Sequence, residues 1–207
     1  MTLADDYTSP HNLMTKPVLV LASSSPYRRS ILERAGFDFQ HTSPDIDETQ
    51  HDGESADKLV RRLALEKAQT VASEYPRALI IGSDQVSECD GRILGKPGNR
   101  ENAVRQLQFT AGKTAILHTG LALVNSSTGD YQLGVDTYEV ECRDLEKTQI
   151  ETYVDTEKPF DCCGSLKVEG PGIRLLRRLT GNDPNTLMGL PLIMLVDMLR
   201  KEKFPGI

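Results

Sequence analysis

Residues 19–29 read Leu-Val-Leu-Ala-Ser-Ser-Ser-Pro-Tyr-Arg-Arg, and this stretch decides the fold. Its apolar part belongs to a strand predicted over residues 17–22, which is apolar on both faces, as is typical of a strand inside a sheet. Ser25 has the side chain of a helix N-cap, and Pro26 suits the first helical position. A helix is therefore predicted over residues 26–35. Together these signals predict the strand–turn–helix unit of an α/β fold.

The turn between this strand and this helix is suited to binding an anion. Free N–H groups at the start of a helix and the positive end of its dipole point to one spot. Arg28 and Arg29 lie on the first helical turn, and guanidinium groups bind phosphate oxygens through paired hydrogen bonds. One interpretation is a polyphosphate site; the alternative is an ordinary serine cap followed by two solvent-exposed arginines. The chain contains neither a Walker A motif nor a G-x-G-x-x-G motif.

Composition places the chain among soluble globular proteins. Its 207 residues suit one large domain or two small lobes, with 38% hydrophobic and 26% charged residues. A net charge of −6 argues against loose electrostatic binding to nucleic acid or to an anionic membrane. No apolar run approaches the roughly 18 residues of a membrane span. We expect residues 1–16 to form a flexible polar tail, with Met14 as an alternative start, and residues 17–207 to form a single domain.

The cysteines indicate a reducing compartment. Cys162 and Cys163 are adjacent, whereas Cys89 and Cys142 stand alone. This spacing fits neither a zinc site nor the disulfide framework of a secreted protein, and the N-terminus lacks a signal-peptide pattern. We therefore expect a cytoplasmic protein.

Further along the chain, predicted strands alternate with predicted helices, which indicates an α/β protein. Asp90-Gly91 marks a hairpin turn, and Thr128-Gly129-Asp130 joins two long strands. The predicted strands cover residues 37–42, 78–82, 113–125 and 131–142, and the predicted helices cover residues 55–73, 99–110, 146–154 and 191–203.

Asp84 and Lys67 are candidate catalytic residues. Asp84 follows the strand predicted over residues 78–82, and α/β proteins usually place their chemistry at the carboxyl ends of buried strands. Lys67 lies on an otherwise apolar stripe of its helix. Either its stem packs while its ammonium group reaches solvent, or it points into a cleft.

Hard carboxylates and cations complete the candidate site. Glu48 lies in an acidic loop over residues 43–54, and a tight Gly95-Lys96-Pro97 turn fixes Lys96. The carboxylates of Glu48 and Asp84 suit a magnesium-type ion, and phosphate groups suit the nearby cations. These cations are Arg28, Arg29, Lys67 and Lys96. The residues alone therefore predict an α/β protein that binds a phosphorylated ligand.

The chain resembles the Maf family of nucleoside triphosphate pyrophosphatases over residues 17–202. This resemblance implies a mixed, twisted sheet with flanking helices, in two lobes around a deep cleft, similar to inosine triphosphate pyrophosphatases. It also implies hydrolysis of the α–β bond of a nucleoside triphosphate with a divalent cation, Mg²⁺, Mn²⁺ or Co²⁺. The motifs that carry it are Leu-Ala-Ser-Ser-Ser-Pro-Tyr-Arg-Arg (21–29), Ile-Asp-Glu (46–48), Leu-Glu-Lys-Ala (65–68), Gly-Ser-Asp-Gln-Val (82–86), Gly-Lys-Pro (95–97), Gly-Ser-Leu-Lys-Val-Glu-Gly (164–170) and Gly-Leu-Pro-Leu (189–192).

The resemblance implies a role for each candidate residue. Asp84 matches the family's proton acceptor, which activates the attacking water, and Glu48 matches a carboxylate linked to metal or water positioning. Glu48 and Asp84 are therefore the implied metal ligands. Lys67 and Lys96 match lysines that contact phosphate in the cleft. The family's phosphate-binding turn matches Ser23, Ser25, Arg28 and Arg29.

Tyr27, Gln85 and Glu169 resemble the specificity residues of the YceF-type subfamily, which prefers 7-methyl-GTP and usually has Trp at the position of Tyr27. Family members that act on dTTP and UTP carry Arg, Thr and Gln at these three positions. N7-methylated guanine is cationic, so an aromatic face attracts it, and a glutamate accepts hydrogen bonds from N1–H and N2–H of guanine.

The resemblance implies that the protein removes modified nucleotides from the pool. The alternatives are a dTTP/UTP pyrophosphatase of the same family and a non-catalytic nucleotide-binding regulator of septum formation. We expect a small-molecule nucleotide as the partner, with no nucleic acid and no membrane. A homodimer is one assembly open to the chain.

Overall fold

The computed structural model describes residues 17–207 and has a mixed α/β fold, as predicted. The tail predicted over residues 1–16, including Met14, lies outside the described residues. Within the described range, seven strands form one sheet and five α-helices flank it. The strands are β1 (Val18–Ala22), β2 (Gln40–Thr42), β3 (Ala78–Cys89), β4 (Arg92–Leu94), β5 (Thr114–Asn125), β6 (Tyr131–Cys142) and β7 (Leu176–Gly181), and the helices are α1 (Pro26–Arg34), α2 (Ala56–Ala72), α3 (Arg100–Thr110), α4 (Lys147–Glu157) and α5 (Leu192–Lys201).

The sheet combines parallel and antiparallel pairs. Its strand order is β2-β1-β3-β5-β6-β7, and β4 pairs with the end of β3. Strand β1 is parallel to both of its neighbours because helices connect these strands, whereas β3, β5, β6 and β7 pair in antiparallel fashion. The inner position of β1 explains its apolar sequence, since Leu19 and the three residues after it are almost fully buried. No helix within residues 17–207 has the length and apolar character that crossing a membrane requires.

Helix α2 packs with its main chain directly against the sheet. A Cβ atom at Gly82 would lie 2.0 Å from the carbonyl oxygen of Ala64, and one at Gly120 would lie 2.1 Å from that of Val60. Real Cβ atoms do not approach a carbonyl oxygen so closely, so only glycine allows this packing. As a result, Lys67, one turn beyond Ala64, is carried over the middle of β3.

Asp84 does not follow the end of a strand, and the prediction over residues 78–82 was wrong in this respect. Strand β3 has 12 residues, and Asp84 lies inside it. The parallel pairing with β1 stops at Gly82, while the antiparallel pairing with β5 continues to Glu88. Asp84 therefore lies beside the carboxyl end of β1, at the point where β3 loses one neighbour. The other predicted strands and helices are confirmed, with ends that differ by a few residues.

Candidate active site

A cleft of about 580 Å³ opens where β1 ends and α1 begins. Its walls come from the start of α1, from α2, from the middle of β3 and from the loops around them. It brings together every predicted site residue except Ser23 and Arg29. Those that line it are Ser25, Tyr27, Arg28, Glu48, Lys67, Asp84, Gln85, Lys96 and Glu169.

The Lys67 ammonium group joins two carboxylates in this cleft. Its Nζ lies 2.6 Å from Oδ1 of Asp84 and 2.7 Å from Oε1 of Glu48. Lys67 and Asp84 are buried, whereas 52% of the Glu48 side chain is exposed. A buried charge without a partner is costly, so the pairing stabilises both buried groups. Lys67 therefore points into the cleft and not to solvent.

Glu48 titrates in an electropositive environment. Partial burial raises the pKa of Glu48, but the hydrogen bond from Lys67 and the positive charges of Lys67, Lys96 and Arg28 outweigh this effect. The pKa consequently lies below its usual value, and Glu48 is a carboxylate at neutral pH.

An ion pair holds the acidic loop that carries Glu48. The Arg62 guanidinium group of α2 donates two 2.8 Å hydrogen bonds to Glu54 and one 3.0 Å bond to the carbonyl oxygen of Thr49. The hydrogen bonds from Arg62 to Glu54 are the largest of the effects that lower the pKa of Glu54 to about 2. The loop is thus fastened to the same helix that supplies Lys67.

Arg28 is positioned by two oxygens behind it. Its Nε donates to the carbonyl oxygen of Gly189 at 2.7 Å, and its Nη1 donates to Oγ of Ser23, which is buried, at 3.3 Å. Ser25 is the N-cap of α1, and its Oγ accepts from the Arg28 N–H at 3.4 Å. Burial lowers the pKa of Arg28, against the opposing charge of Asp84. A guanidinium group has five N–H donors, so donors remain for an anion in the cleft.

Arg29 does not reach the cleft, contrary to the prediction. Its exposed guanidinium group lies 3.4 Å from His41 and 3.7 Å from Glu33. Successive residues of a helix are rotated by about 100°, so Arg28 and Arg29 cannot face the same side. Lys96 is exposed and lines the cleft from the turn between β4 and α3.

Tyr27 lies among acidic and thiol side chains. Burial raises the pKa of its hydroxyl group, and a 3.6 Å contact with Sγ of Cys162 adds to this effect. The negative charges of Asp161 and Glu169 also contribute, so both carboxylates act on the tyrosine. Apolar side chains complete the lining of the cleft, among them Leu117, Leu166, Val168, Leu187 and Met188.

The Gln85 amide is hydrogen-bonded on both sides. Its Nε2 donates to Oγ1 of Thr119 at 2.8 Å and to the carbonyl oxygen of Thr186 at 2.6 Å. Its Oε1 accepts from the Cys163 thiol group at 3.2 Å. Burial raises the pKa of Cys163 to about 12, so the thiol keeps its proton and acts as a donor.

Sequence reasoning missed these supporting residues. Thr119 and Thr186 lie 34 and 101 positions from Gln85, and no local pattern links them. Gly189 and Cys163 could have been found, since Gly189 begins the Gly-Leu-Pro-Leu motif and Cys163 lies in a glycine-rich segment.

The two carboxylates of Asp84 and Glu48 can together hold a hard cation. Within residues 17–207, no three His, Cys, Asp or Glu side chains converge to form a closed metal site. Magnesium-type ions are usually held by one or two carboxylates, with phosphate oxygens and water as the other ligands. Because Asp84 and Glu48 converge on one ammonium group, they fit such an open arrangement.

Comparisons with known proteins agree on one family. A family model described as "Maf-like protein" matches residues 18–202. A protein of Alcanivorax borkumensis is 52% identical over 90% of this chain and 94% of its own length. Proteins of Idiomarina loihiensis and Vibrio parahaemolyticus are 54% and 53% identical over 90% of this chain and 95% and 96% of their own lengths. All three relatives are named 7-methyl-GTP pyrophosphatase.

Proposed function

This chain belongs to the Maf family, and we propose that it is a nucleoside triphosphate pyrophosphatase that converts 7-methyl-GTP to 7-methyl-GMP and pyrophosphate. The observation that carries the proposal is the Lys67 ammonium group, which joins Asp84 and Glu48 in a cleft that Arg28 and Lys96 also line. The names and the high identity of the relatives support the choice of substrate. Such an activity would remove a modified nucleotide from the pool.

Asp84 is the proposed proton acceptor. Phosphoryl transfer chiefly needs alignment and charge neutralisation, and it needs little covalent help from the protein. Lys67 engages Oδ1 of Asp84, so Oδ2 is the oxygen that we assign to the attacking water. This carboxylate takes the proton as the water attacks the α-phosphorus and pyrophosphate leaves.

Cationic groups bind the triphosphate in this scheme. Arg28 is held from behind by Gly189 and Ser23, so its remaining N–H donors are available to phosphate oxygens. Lys96 adds a positive charge from the rim of the cleft. A pyrophosphatase family indicates a general dependence on a divalent metal ion. We propose Mg²⁺, Mn²⁺ or Co²⁺, which Glu48 and Asp84 would hold and which would neutralise further phosphate charge.

Tyr27, Gln85 and Glu169 are the proposed base-reading residues. The aromatic ring of Tyr27 attracts a cationic methylated base, and the carboxylates of Asp161 and Glu169 add negative charge beside it. Glu169 accepts hydrogen bonds only, which matches the N–H donors on the edge of guanine. The proposed partner is thus a free nucleotide, and neither nucleic acid nor a membrane. A cytoplasmic location and a homodimer stay predictions.

A substrate panel tests this function. Purified protein should release pyrophosphate from 7-methyl-GTP and GTP in preference to UTP and dTTP, in the presence of Mg²⁺, Mn²⁺ or Co²⁺. Asp84→Asn keeps the shape but cannot take the proton, so turnover should fall on the order of a hundredfold or more. Thermal unfolding would verify that this variant is folded. Near-normal turnover in a folded Asp84→Asn protein would assign the base to another residue. A wild-type protein that binds nucleotides without hydrolysing them would contradict the proposed enzymatic activity.

A further inference from the structure

We propose that Thr119 is a positioning residue which, together with the main-chain carbonyl of Thr186, locks Gln85 as a hydrogen-bond acceptor toward the nucleotide base. The proposal rests on the function above and gives a physical reason for guanine selection. The surrounding donors and acceptors determine the orientation of the Gln85 amide group.

The orientation of the Gln85 amide follows from hydrogen-bond chemistry. A carbonyl oxygen only accepts hydrogen bonds, so the amide atom 2.6 Å from the Thr186 oxygen must be the nitrogen Nε2. Its second hydrogen is directed to Oγ1 of Thr119 at 2.8 Å. Rotating the amide by half a turn would place the Gln85 and Thr186 carbonyl oxygens in contact and would break the hydrogen bond from Nε2 to Thr186. Both amide hydrogens are therefore used, and Gln85 offers no donor to a ligand.

The residues that impose this orientation are themselves fixed. Thr119 and Thr186 are fully buried, and the Thr119 hydroxyl also lies 3.5 Å from the Thr186 carbonyl oxygen. The Thr186 hydroxyl is hydrogen-bonded to Asp136. The buried Asp183 carboxylate caps the turn that carries Thr186, accepting from the N–H groups of Asn185 at 2.9 Å and Ile193 at 2.7 Å. Thr119 and the Thr186 carbonyl, which together form the lock on Gln85, are thus part of a rigid buried network.

The free side of the Gln85 amide is its oxygen, Oε1. It accepts from the Cys163 thiol group, which is a weak donor that a base can displace. Glu169 is a second acceptor in the same cleft. Guanine has two adjacent donors, N1–H and N2–H, and so satisfies two acceptors. Uracil and thymine have a single N3–H between two carbonyl oxygens, so a second acceptor would face a carbonyl.

A pair of variants at Thr119 tests the lock. Thr119→Val is nearly isosteric but leaves one Nε2 hydrogen unpaired, so the amide is held less firmly. The ratio of kcat/KM for GTP to that for UTP should then fall roughly fivefold, which corresponds to one hydrogen bond. Thr119→Ser keeps the hydroxyl group and should retain the wild-type ratio. GTP and UTP are compared because neither base is cationic, so neither gains a cation–π contribution from Tyr27.

The outcomes separate the lock from a merely structural role. A purely structural threonine would lower kcat/KM for both nucleotides by the same factor and leave the ratio unchanged, which would overturn the proposal. An equal loss of the ratio in Thr119→Val and Thr119→Ser would also overturn it. A wild-type protein that releases no pyrophosphate from any triphosphate would refute the proposed function itself. An active wild type with unchanged variant ratios would refute only the lock.

A second pair of variants keeps the test decisive if Thr119→Val does not fold. Cys163 lines the cleft and is only half-buried, so substitutions there disturb the core less. Cys163→Ser places a stronger donor on Oε1, which guanine must displace, so KM for GTP should be higher than in Cys163→Ala. Equal KM values for GTP in these two variants would show that Oε1 does not meet the base.

Discussion

The carbonyl oxygen of Gly189 accepts a 2.7 Å hydrogen bond from Nε of Arg28, although 161 positions separate the two residues. Gly189 has a φ angle of +90°, a backbone conformation that residues other than glycine rarely adopt. A Cβ atom at this position would lie 3.3 Å from the same Nε atom. The orientation of Arg28, the arginine proposed to bind phosphate, thus depends on a glycine near the other end of the chain.

Gly189→Ala should therefore impair catalysis more than folding. The new methyl group presses on Arg28, and kcat/KM should fall by about tenfold or more because the guanidinium group is misplaced. Gly129→Ala is the matched control, since Gly129 has φ of +81° but open space around it. Both variants carry a backbone cost of about 1 kcal/mol, which thermal unfolding would measure. Equal activity in the two variants would show that Gly189 does not position Arg28.

Lys96→Ala should separate activity from stability. Lys96 is exposed, so its removal should change the free energy of unfolding by no more than about 0.5 kcal/mol. The loss of one phosphate-neutralising charge should lower kcat/KM by at least about tenfold. Lys58→Ala removes an exposed lysine outside the cleft and should leave both quantities unchanged. The assignment fails if Lys96→Ala unfolds more easily while its folded fraction keeps wild-type activity.

The ion pair between Glu54 and Arg62 should determine part of the acid stability. The pKa of Glu54 in the folded protein, about 2, lies below its ordinary value of 4.5. The carboxylate form thus contributes stability above pH 4.5, and this contribution is lost as the pH falls from about 4.5 to about 2. Glu54→Gln should lower the free energy of unfolding at neutral pH and flatten its decline over this range, as urea titrations at several pH values would measure.

The same ion pair also offers an internal check. Arg62→Met should give the same flattened pH profile, because removing the partner removes the pKa shift. Both variants release the loop that carries Glu48 and should therefore also lower kcat. A profile that stays as steep as the wild type in either variant would contradict the assignment.

Tyr27→Ala should reduce kcat/KM for 7-methyl-GTP more than for GTP. Only the methylated base is cationic, and the differential loss should be about 1–2 kcal/mol in a partly desolvated cleft. Tyr27→Phe keeps the aromatic ring and loses only the hydroxyl contact with Cys162, so it should retain most of the preference. An equal effect of Tyr27→Ala on both nucleotides would mean that the ring packs against the base without reading its charge.

Glu169→Gln should lower kcat/KM for both guanine nucleotides, GTP and 7-methyl-GTP. The change replaces a charged double acceptor with an amide, which has one acceptor and one donor group. The new donor should also relax the rejection of UTP and dTTP, because it can bind a pyrimidine carbonyl. The measurement is kcat/KM for GTP, 7-methyl-GTP and UTP, with Glu139→Gln as an exposed acid outside the cleft. Unchanged ratios in Glu169→Gln would remove this residue from base recognition.

Local signals predicted the parts of the fold that depend on neighbours in sequence. Ser25 and Pro26 mark the start of α1 because capping involves only the next few residues. The resemblance to the Maf family supplied the proposed roles of Lys67 and Glu48, whose contact with each other depends on tertiary packing.

Features that depend on distant neighbours could not be predicted in this way. Strand β7 was missed because it is an edge strand, paired only with β6, in which most residues are exposed and polar. Arg29 was assigned to the site because the sequence does not show which side of α1 faces the cleft. The two residues that accept from the Gln85 amide, Thr119 and Thr186, were missed because they come from β5 and from the turn before α5.

The contacts of Gly82 and Gly120 with the main chain of α2 bear on how such a protein can diversify. Because backbone atoms set the spacing, the distance between Lys67 and Asp84 is insensitive to most side-chain changes around them. Glu169, by contrast, lies on an irregular segment without a long helix or strand, where insertions and exchanges of residues are tolerated. Under the proposed roles, bond cleavage can therefore be conserved while the preferred nucleotide changes. An enzyme designer could then exchange the segment that carries Glu169 to alter the specificity while Lys67 and Asp84 stay in place.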